Sequence, residues 1–256
     1  MKIVGMVPAR MAASRFPGKP LHPILGRPML EHVYLRARLY SRFDALAVCT
    51  CDEEIAQYCR SKGWPVIMTA DTHTRAMDRV AEAAGKAGVA LDDDDLVLCV
   101  QGDEPMLGPD TIEAVVRPFE RDASVKGTLL AVPITDEALF LNPDTVKLVH
   151  DMQGRVLYTS RSPIPYCKPG KFSPALGAKR VGGVFGCRWS FLQWFTRTPE
   201  SPLEIKEACD SNRFYDHGFQ QHVAEMPARD YFSVDSPSDV ALVEAALKND
   251  SLWGKY

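Results

Sequence analysis

Short apolar runs recur along the first half of the chain, and the segments between them carry helical spacing. Lys2–Pro8 (KIVGMVP) is predicted as a buried β-strand, Ala45–Thr50 (ALAVCT) and Asp95–Gln101 (DLVLCVQ) as further apolar strands and Val66–Met68 as a brief one. Leu30, Val33, Tyr34 and Ala37 share one helical face within Met29–Ala37. Glu53–Gly63 reads as a helix closed by its glycine, Asp78–Gly88 as an Ala-rich amphipathic helix, and Thr111–Glu120 as a helix with Asp110 placed to cap it. Strands alternating with helices roughly every 20–30 residues predict βαβ units and a parallel sheet. Ligands bind such sheets beyond the C-terminal strand ends, so the segments after Val7, Thr50 and Gln101 are where chemistry is expected.

The second half has a different pattern. Gly127–Pro133 and Val146–His150 read as strands, and Gly154–Tyr158 extends a hairpin from the latter. Arg161–Gly177 is loop-like, with Pro163, Pro165, Pro169 and Pro174. Val181–Cys187 is a strand whose glycines permit close backbone packing. Helices are predicted over Ser190–Phe195, Pro202–Phe214 and Asp239–Leu247, and a strand over Gln221–Ala228. With no internal repeat or low-complexity linker, the expectation is one α/β domain over 1–256, with a lateral β-rich subregion near 140–190.

The 256 residues are 46% hydrophobic and 25% charged, with a net charge of -3. This is enough apolar material for a core, and it gives no electrostatic reason to expect nucleic acid or an anionic membrane as partner. No run approaches the roughly 20 apolar residues of a membrane span, and MKIVGMVPAR reads as a strand rather than a signal peptide. The seven cysteines show no C-x-x-C pair, and several sit in apolar runs, as reduced core cysteines of a cytosolic protein do. No two of the six histidines are spaced i, i+4, and no G-x-S-x-G elbow occurs. Zinc and side-chain nucleophile chemistry are therefore set aside.

Four constellations remain. VPARMAASRFPGKPL (7–21) places Arg10, Arg15 and Lys19 among Ala12, Ala13, Ser14 and Gly18, so that backbone N–H groups can approach an anion while three cations neutralise a polyphosphate. It is not a G-x-x-x-x-G-K-[ST] loop, and a solvated basic loop is the alternative. VQGDEPM (100–106) puts Asp103 directly after an apolar strand, where it suits a metal ion or a turn before Pro105. FSVDSPSD (232–239) offers Asp235 as a further ligand or as a helix-start residue ahead of Pro237. NPDTVKLV (142–149) and YTSRSPIP (158–165) carry Lys147 and Arg161, suited to an anionic substrate group or to a surface ion pair.

Taken in order, these motifs resemble the CMP-Kdo synthetases, the 3-deoxy-manno-octulosonate cytidylyltransferases, over nearly the whole chain. The matching stretches are PAR…SR.PGKPL (8–21), QGDEPM (101–106), NPDTVK (142–147), YTSRSPIPY (158–166), PESPLE (199–204) and VDSP (234–237). The resemblance implies a Rossmann-like nucleotidyltransferase fold, with a mostly parallel twisted sheet flanked by helices. It also implies Mg²⁺-dependent transfer of CMP from CTP to a small acidic acceptor, with release of pyrophosphate. The enzyme would be a cytoplasmic homodimer of lipopolysaccharide biosynthesis, with its interface near 140–190.

Carried over residue by residue, the resemblance gives Arg10, Lys19 and Asp103 the catalytic roles. Pro8, Ala9, Arg10, Ser14, Arg15, Lys19, Arg75, Arg79 and Gln101 would bind the nucleotide. Lys147, Arg161, Arg180, Asp210 and Ser211 would bind the acceptor, and Asp103 and Asp235 the metal. Phosphoryl-type transfer needs positioning and charge neutralisation rather than a protein nucleophile, which agrees with this set.

Three segments depart from the family pattern. S-G-T-[DE]-R is Arg75, Ala76, Met77, Asp78 and Arg79 here; His-Val-Gly-Ile is Arg180, Val181, Gly182 and Gly183; Glu-Gln-Leu-Arg is Asp210, Ser211, Asn212 and Arg213. The added arginines suit a more anionic acceptor, such as a phosphonate or another sugar acid, with divergence within one activity as the alternative. A catalytically silent nucleotide-binding protein is a further reading, and the retained Arg10, Lys19, Asp103 and Asp235 argue against it.

Overall fold

The computed structural model describes residues 1–12, 15–226 and 231–256. They form two compact units, the first comprising Met1–Glu113, Gly183–Gln193 and Arg229–Tyr256, the second Ala114–Gly182 and Trp194–Ala228.

In the first unit the chain runs through β1 (Ile3–Pro8), the two-residue strands β2 (Pro23–Ile24) and β3 (Arg27–Pro28), α1 (Met29–Arg38), β4 (Ala45–Thr50), α2 (Glu53–Ser61), β5 (Val66–Met68), α3 (Ala76–Gly85) and β6 (Leu96–Val100). β1 lies between β4 and β6, parallel to both, and β4 is parallel to β5. α2 packs on β4 and β5, and α3 lies across β1, β4 and β6. Every residue of β6 is buried, as a central strand covered on both faces requires. The α/β alternation read from the apolar runs is the observed architecture, and β1 and β6 end side by side, where a parallel sheet presents its ligand site.

The chain continues through α4 (Pro109–Arg121) into the second unit, with β7 (Gly127–Pro133), α5 (Glu137–Leu141), β8 (Lys147–His150), β9 (Val156–Ser160) and β10 (Lys179–Arg188). β8 pairs antiparallel with β9 and with the first residues of β10. The last residues of β10 belong to the first unit and pair antiparallel with β6, Val184 opposite Val100. α6 (Trp189–Arg197), α7 (Pro202–Glu207), α8 (Asn212–Asp216), β11 (His222–Glu225) and α9 (Asp239–Lys248) complete the fold, with β11 parallel to β7.

The single helix expected over Pro202–Phe214 is two helices. Ala208 adopts the left-handed conformation (φ 47°) and ends α7. Glu204 closes a capping box with Ser201 and also accepts from Arg213, Nε to Oε2 at 2.8 Å and Nη2 to Oε1 at 2.6 Å. In a straight helix residues 204 and 213 would lie about 13 Å apart along the axis, out of reach. The ion pair therefore requires the break. The strand expected over Gln221–Ala228 is the shorter β11, and Pro227 and Ala228 lie outside the described residues.

Candidate active site

The loop after β1 is folded back on itself by backbone geometry. Ala9 N–H continues the β-ladder to Cys49 O (3.0 Å), and Gly18 N–H donates to Met11 O (2.9 Å), closing the turn. Gly18 has φ 75°, a left-handed conformation glycine adopts without strain, and it starts the short 3₁₀ turn Lys19–Leu21. Asp52, at the N-terminus of α2, does not cap its own helix; its Oδ2 accepts from Met11 N–H (2.8 Å) and ties the loop down. Phe16 anchors the far side in an apolar cluster with Ile24, Met29, Met106, Val234, Val243 and Leu247. That cluster joins the loop, the QGDEPM segment and the FSVDSP segment from below.

Above the cluster, Lys19 Nζ donates to Asp103 Oδ2 and to Val234 O, both at 2.8 Å. Arg15 Nη2 donates to Asp235 Oδ1 at 2.8 Å. Gly102 permits the approach of the two strand ends: a Cβ there would lie 2.6 Å from Pro8 O. Neither aspartate has the bland role open to it in the sequence. The turn before α9 is held by Asp239, whose Oδ2 accepts from Asp235 N–H (2.9 Å) and Ser236 N–H (2.7 Å), leaving the Asp235 carboxylate to Arg15. Burial, and next the Asp103 charge, raise the Asp235 pKa above its ordinary value, against the pull of Arg15 and Lys19. Asp103 Oδ1 is buried and has no hydrogen-bond partner among the described residues.

These groups line a cavity of about 260 Å³. Pro8, Ala9, Arg10, Arg15, Lys19, Arg75, Arg79, Gln101, Asp103 and Asp235, each singled out from the sequence, all face it. Ser14 lies outside the described residues. Among the described lining residues five are arginine or lysine and two are carboxylates, so the cavity is built for a polyanion. Arg79 is buried and donates to Thr69 Oγ1 and to Ala70 O (3.3 Å). The segment in front of α3 is pinned by Glu82, which accepts from Ala70 N–H (3.0 Å), His73 and Lys86. Burial disfavours the Glu82 anion, but the bonds from Lys86, Ala70 and His73 outweigh it and hold the pKa down to about 2.

Among the described residues no group of three or more His, Cys, Asp or Glu could hold a metal ion. Asp103 and Asp235 are a pair, and a pair of carboxylates completed by substrate phosphates is the donor set Mg²⁺ takes. The orphaned, buried Asp103 Oδ1 fits that use: an anionic oxygen kept from water and from donors is open to a cation.

Lys147, Arg161, Arg180, Asp210 and Ser211 all belong to the second unit. Lys147 is fully buried, and its Nζ donates to Asn142 O (2.9 Å), Thr145 O (2.7 Å) and Arg161 O (2.6 Å). Its three donors are thus committed to backbone carbonyls, and it fastens the 142–146 turn to the end of β9. Burial, and secondarily Arg161, lower its pKa to about 8. Arg161 donates to Pro143 O (3.0 Å) and Ala208 O (3.1 Å), and its own N–H donates to Glu207 Oε2 (3.1 Å). Arg180 is buried on β10 in register with Lys147 of β8. Asp210 and Ser211 lie at the start of α8, where their carbonyls accept from Arg213 N–H and Phe214 N–H.

Residues 4–222 match the profile of a family described as cytidylyltransferase. This chain belongs to the cytidylyltransferase family. It is 41% identical to a 3-deoxy-manno-octulosonate cytidylyltransferase from Nitratidesulfovibrio vulgaris strain DP4, over 96% of each chain. It is 37% identical to an 8-amino-3,8-dideoxy-manno-octulosonate cytidylyltransferase from Shewanella woodyi, over 98% of this chain and 100% of that protein. A solved CMP:2-keto-3-deoxy-manno-octonic acid synthetase complexed with CTP superposes with a TM-score of 0.86 at 32% identity, covering 97% of this chain and 99% of that one. A 4-diphosphocytidyl-2C-methyl-D-erythritol synthase, at a TM-score of 0.62 and 15% identity over 96% and 98% of the two chains, shares the fold alone. The resemblance read from the motifs thus holds over the full length, and the chain is a nucleotidyl-transferring enzyme.

The motifs of this cytidylyltransferase did not reveal every residue that shapes the cavity. Phe16, Pro20, Met29, His73, Thr74, Ala76 and Gly102 also line it. Glu82 could have been noticed as the residue three after Arg79 and four before Lys86 on one helical face. Asp52 carried a misleading signal, since its position before α2 reads as an ordinary helix cap.

Proposed function

We propose that this cytidylyltransferase transfers CMP from CTP to a 2-keto-3-deoxy sugar acid such as Kdo, with Mg²⁺ as cofactor. The observation that carries the reading is the Lys19–Asp103 pair at the ends of β1 and β6, backed by Arg10, Arg15 and Asp235 in one polyanion-sized cavity. Lys19 uses two of its three donors on Asp103 and Val234 O, which leaves the third for a phosphate oxygen. Arg10 and Arg15 supply further charge to the triphosphate, and Arg75, Arg79 and Gln101 line the remaining wall. A sugar hydroxyl oxygen forms a bond to the α-phosphorus, the bond to the pyrophosphate oxygen breaks, and the hydroxyl proton leaves to solvent. Asp103 and Asp235 would hold Mg²⁺, which neutralises phosphate charge and acidifies the attacking hydroxyl. Lys147, Arg161, Arg180, Asp210 and Ser211 are kept as the proposed acceptor-binding residues, with Lys147 acting by holding the Arg161 backbone.

Pyrophosphate release tests this. The expected result is turnover with CTP and Kdo, and none with UTP, ATP or GTP. The second reading, a more anionic acid acceptor, is supported by Arg75 on the cavity wall. A panel with the 8-amino analogue, other sugar acids and phosphonates decides it: efficient turnover of Kdo and nothing better removes that reading. No turnover with any acceptor, together with intact CTP binding, would leave a silent nucleotide-binding protein. No helix among the described residues is long and apolar enough to cross a membrane. A homodimer is proposed through the 140–190 region, supported by exposed Leu141, Met152, Leu157 and Tyr166; sedimentation at the monomer mass would overturn it.

A further inference from the structure

Arg36 is a buried cation that the transfer reaction does not use. It follows Met29 and Val33 and precedes Tyr40 on the buried stripe of α1 and the turn after it, where a leucine would ordinarily sit. Its side chain is completely enclosed. Nη1 and Nη2 pair with the Asp250 carboxylate at 3.1 and 3.2 Å, and the guanidinium lies 5.2 Å from the centre of the Tyr256 ring. Pairing with Asp250 occupies only one edge of the fork. From the other side Nε donates to Leu107 O (2.6 Å) and Nη2 to Met106 O (3.2 Å), two successive carbonyls at the exit of the loop that carries Asp103.

That loop has little structure of its own. Between Gln101 and Leu107 it makes two internal backbone bonds, Glu104 N–H to Gln101 O and Leu107 N–H to Glu104 O. Lys19 and Ser233 donate to its Asp103 and Glu104 side chains, both at 2.8 Å, and its backbone is held from outside at the entry, the middle and the exit. Gln101 N–H donates to Gly183 O at the entry, Val234 N–H donates to Asp103 O in the middle, and Arg36 holds the exit. Asp103 meanwhile keeps one carboxylate oxygen buried and without a donor among the described residues. An unsatisfied anion held in place needs a rigid support, and a buried guanidinium is a costly residue to bury for packing alone. We propose that Arg36 is a positioning residue for the Asp103 carboxylate, acting through the Met106 and Leu107 carbonyls. The proposal rests on the reading of Asp103 as a Mg²⁺ ligand.

Arg36→Lys keeps the charge but cannot span two carbonyls and Asp250 at once. In the ligand-free protein, amide hydrogen exchange over 102–107 should accelerate at least about tenfold, as expected when a loop loses its anchor. The Mg²⁺ concentration for half-maximal turnover should rise about 10–100-fold, the usual effect of losing a group that orients a metal ligand, with kcat at saturating Mg²⁺ within about threefold. Asp250→Asn, which spares both carbonyl bonds, should shift both readouts the same way by less than about tenfold, and it decides the matter if Arg36→Lys does not fold. Ile55→Val, buried in α2 away from the loop, controls for stability alone and should move neither. Equal behaviour of Arg36→Lys and Ile55→Val in both readouts would overturn the proposal. If instead Asp103→Asn leaves the Mg²⁺ requirement unchanged, the metal reading has failed, and loop exchange still reports on Arg36.

Discussion

Replacing Lys19 by methionine keeps most of the aliphatic stem and removes the ammonium from between two active-site segments. Lys19 is 13% exposed and Asp103 25% exposed, so the lost pair is mostly but not fully desolvated. Breaking a fully buried pair costs about 3–5 kcal/mol, and partial exposure of Asp103 lowers that to about 2 kcal/mol. For a chain of this length about 2 kcal/mol corresponds to a melting temperature lower by roughly 4–8 °C. The pH dependence has a definite sign. The Asp235 carboxyl is already raised by burial and by Asp103, and Lys19 is one of the charges opposing that rise. Without Lys19 the Asp235 pKa climbs further. A raised carboxyl contributes stability that is present below its unfolded pKa and lost as pH rises through the folded value. The deficit of the variant should therefore be smaller at pH 3.5, below the ordinary carboxylate value, than at pH 7.5. Loss of a preorganised cation at developing phosphate charge should lower kcat/KM for CTP by about 10²–10³-fold. Thermal melts at the two pH values and steady-state pyrophosphate release measure both effects. Equal melting losses at the two pH values, or kcat/KM within about threefold of the parent, would refute the reasoning.

Asp235→Asn removes a carboxylate whose charge burial and Asp103 disfavour, so the ligand-free protein should melt higher at pH 7.5 while Mg²⁺ activation is lost; a lower melting point would contradict the assignment. Glu82 has a lowered pKa, so its contribution is present above the ordinary carboxylate range and disappears as pH falls toward about 2. Glu82→Gln should cost about 1–2 kcal/mol at pH 7 and raise KM for CTP by loosening the segment that presents Arg75 and Arg79, with calorimetry and CTP titration as the checks. Gly102→Ala places a methyl 2.6 Å from Pro8 O, and neither partner is a flexible side chain. It should destabilise by about 1–3 kcal/mol and reduce turnover more than tenfold, and an active, equally stable variant would show that the two strand ends can separate freely.

Much of the cavity could be read from the sequence because its parts are local. An apolar run followed by a polar, cationic or acidic segment identifies a strand end, and strand ends in a parallel sheet converge. Val7–Leu21, Gln101–Met106 and Asp235 are legible in this way, and the family resemblance adds Arg79 and the metal role of Asp235. The same locality misled at Pro202–Phe214, where helical propensity continues but a long-range pair, Glu204 with Arg213, forces the chain to turn at Ala208. Spacing leaves Lys147 open between an anionic substrate group and a surface ion pair, because three carbonyl acceptors brought together from 142, 145 and 161 are not visible in it.

The sequence by itself determined the alternation of strands and helices, the residue types at the two strand ends, and the family. Each depends on neighbours within a few residues or on motif order. Only the tertiary structure decided what those side chains do. Lys19 meets Asp103 across 84 residues and Arg15 meets Asp235 across 220, and the three segments involved share one apolar cluster through Phe16, Met106 and Val234. Arg36 is the clearest case. Its place on a helical stripe is legible in the sequence, but its hold on Met106 and Leu107 arises from packing, which puts its donors against two successive carbonyls about 70 residues away.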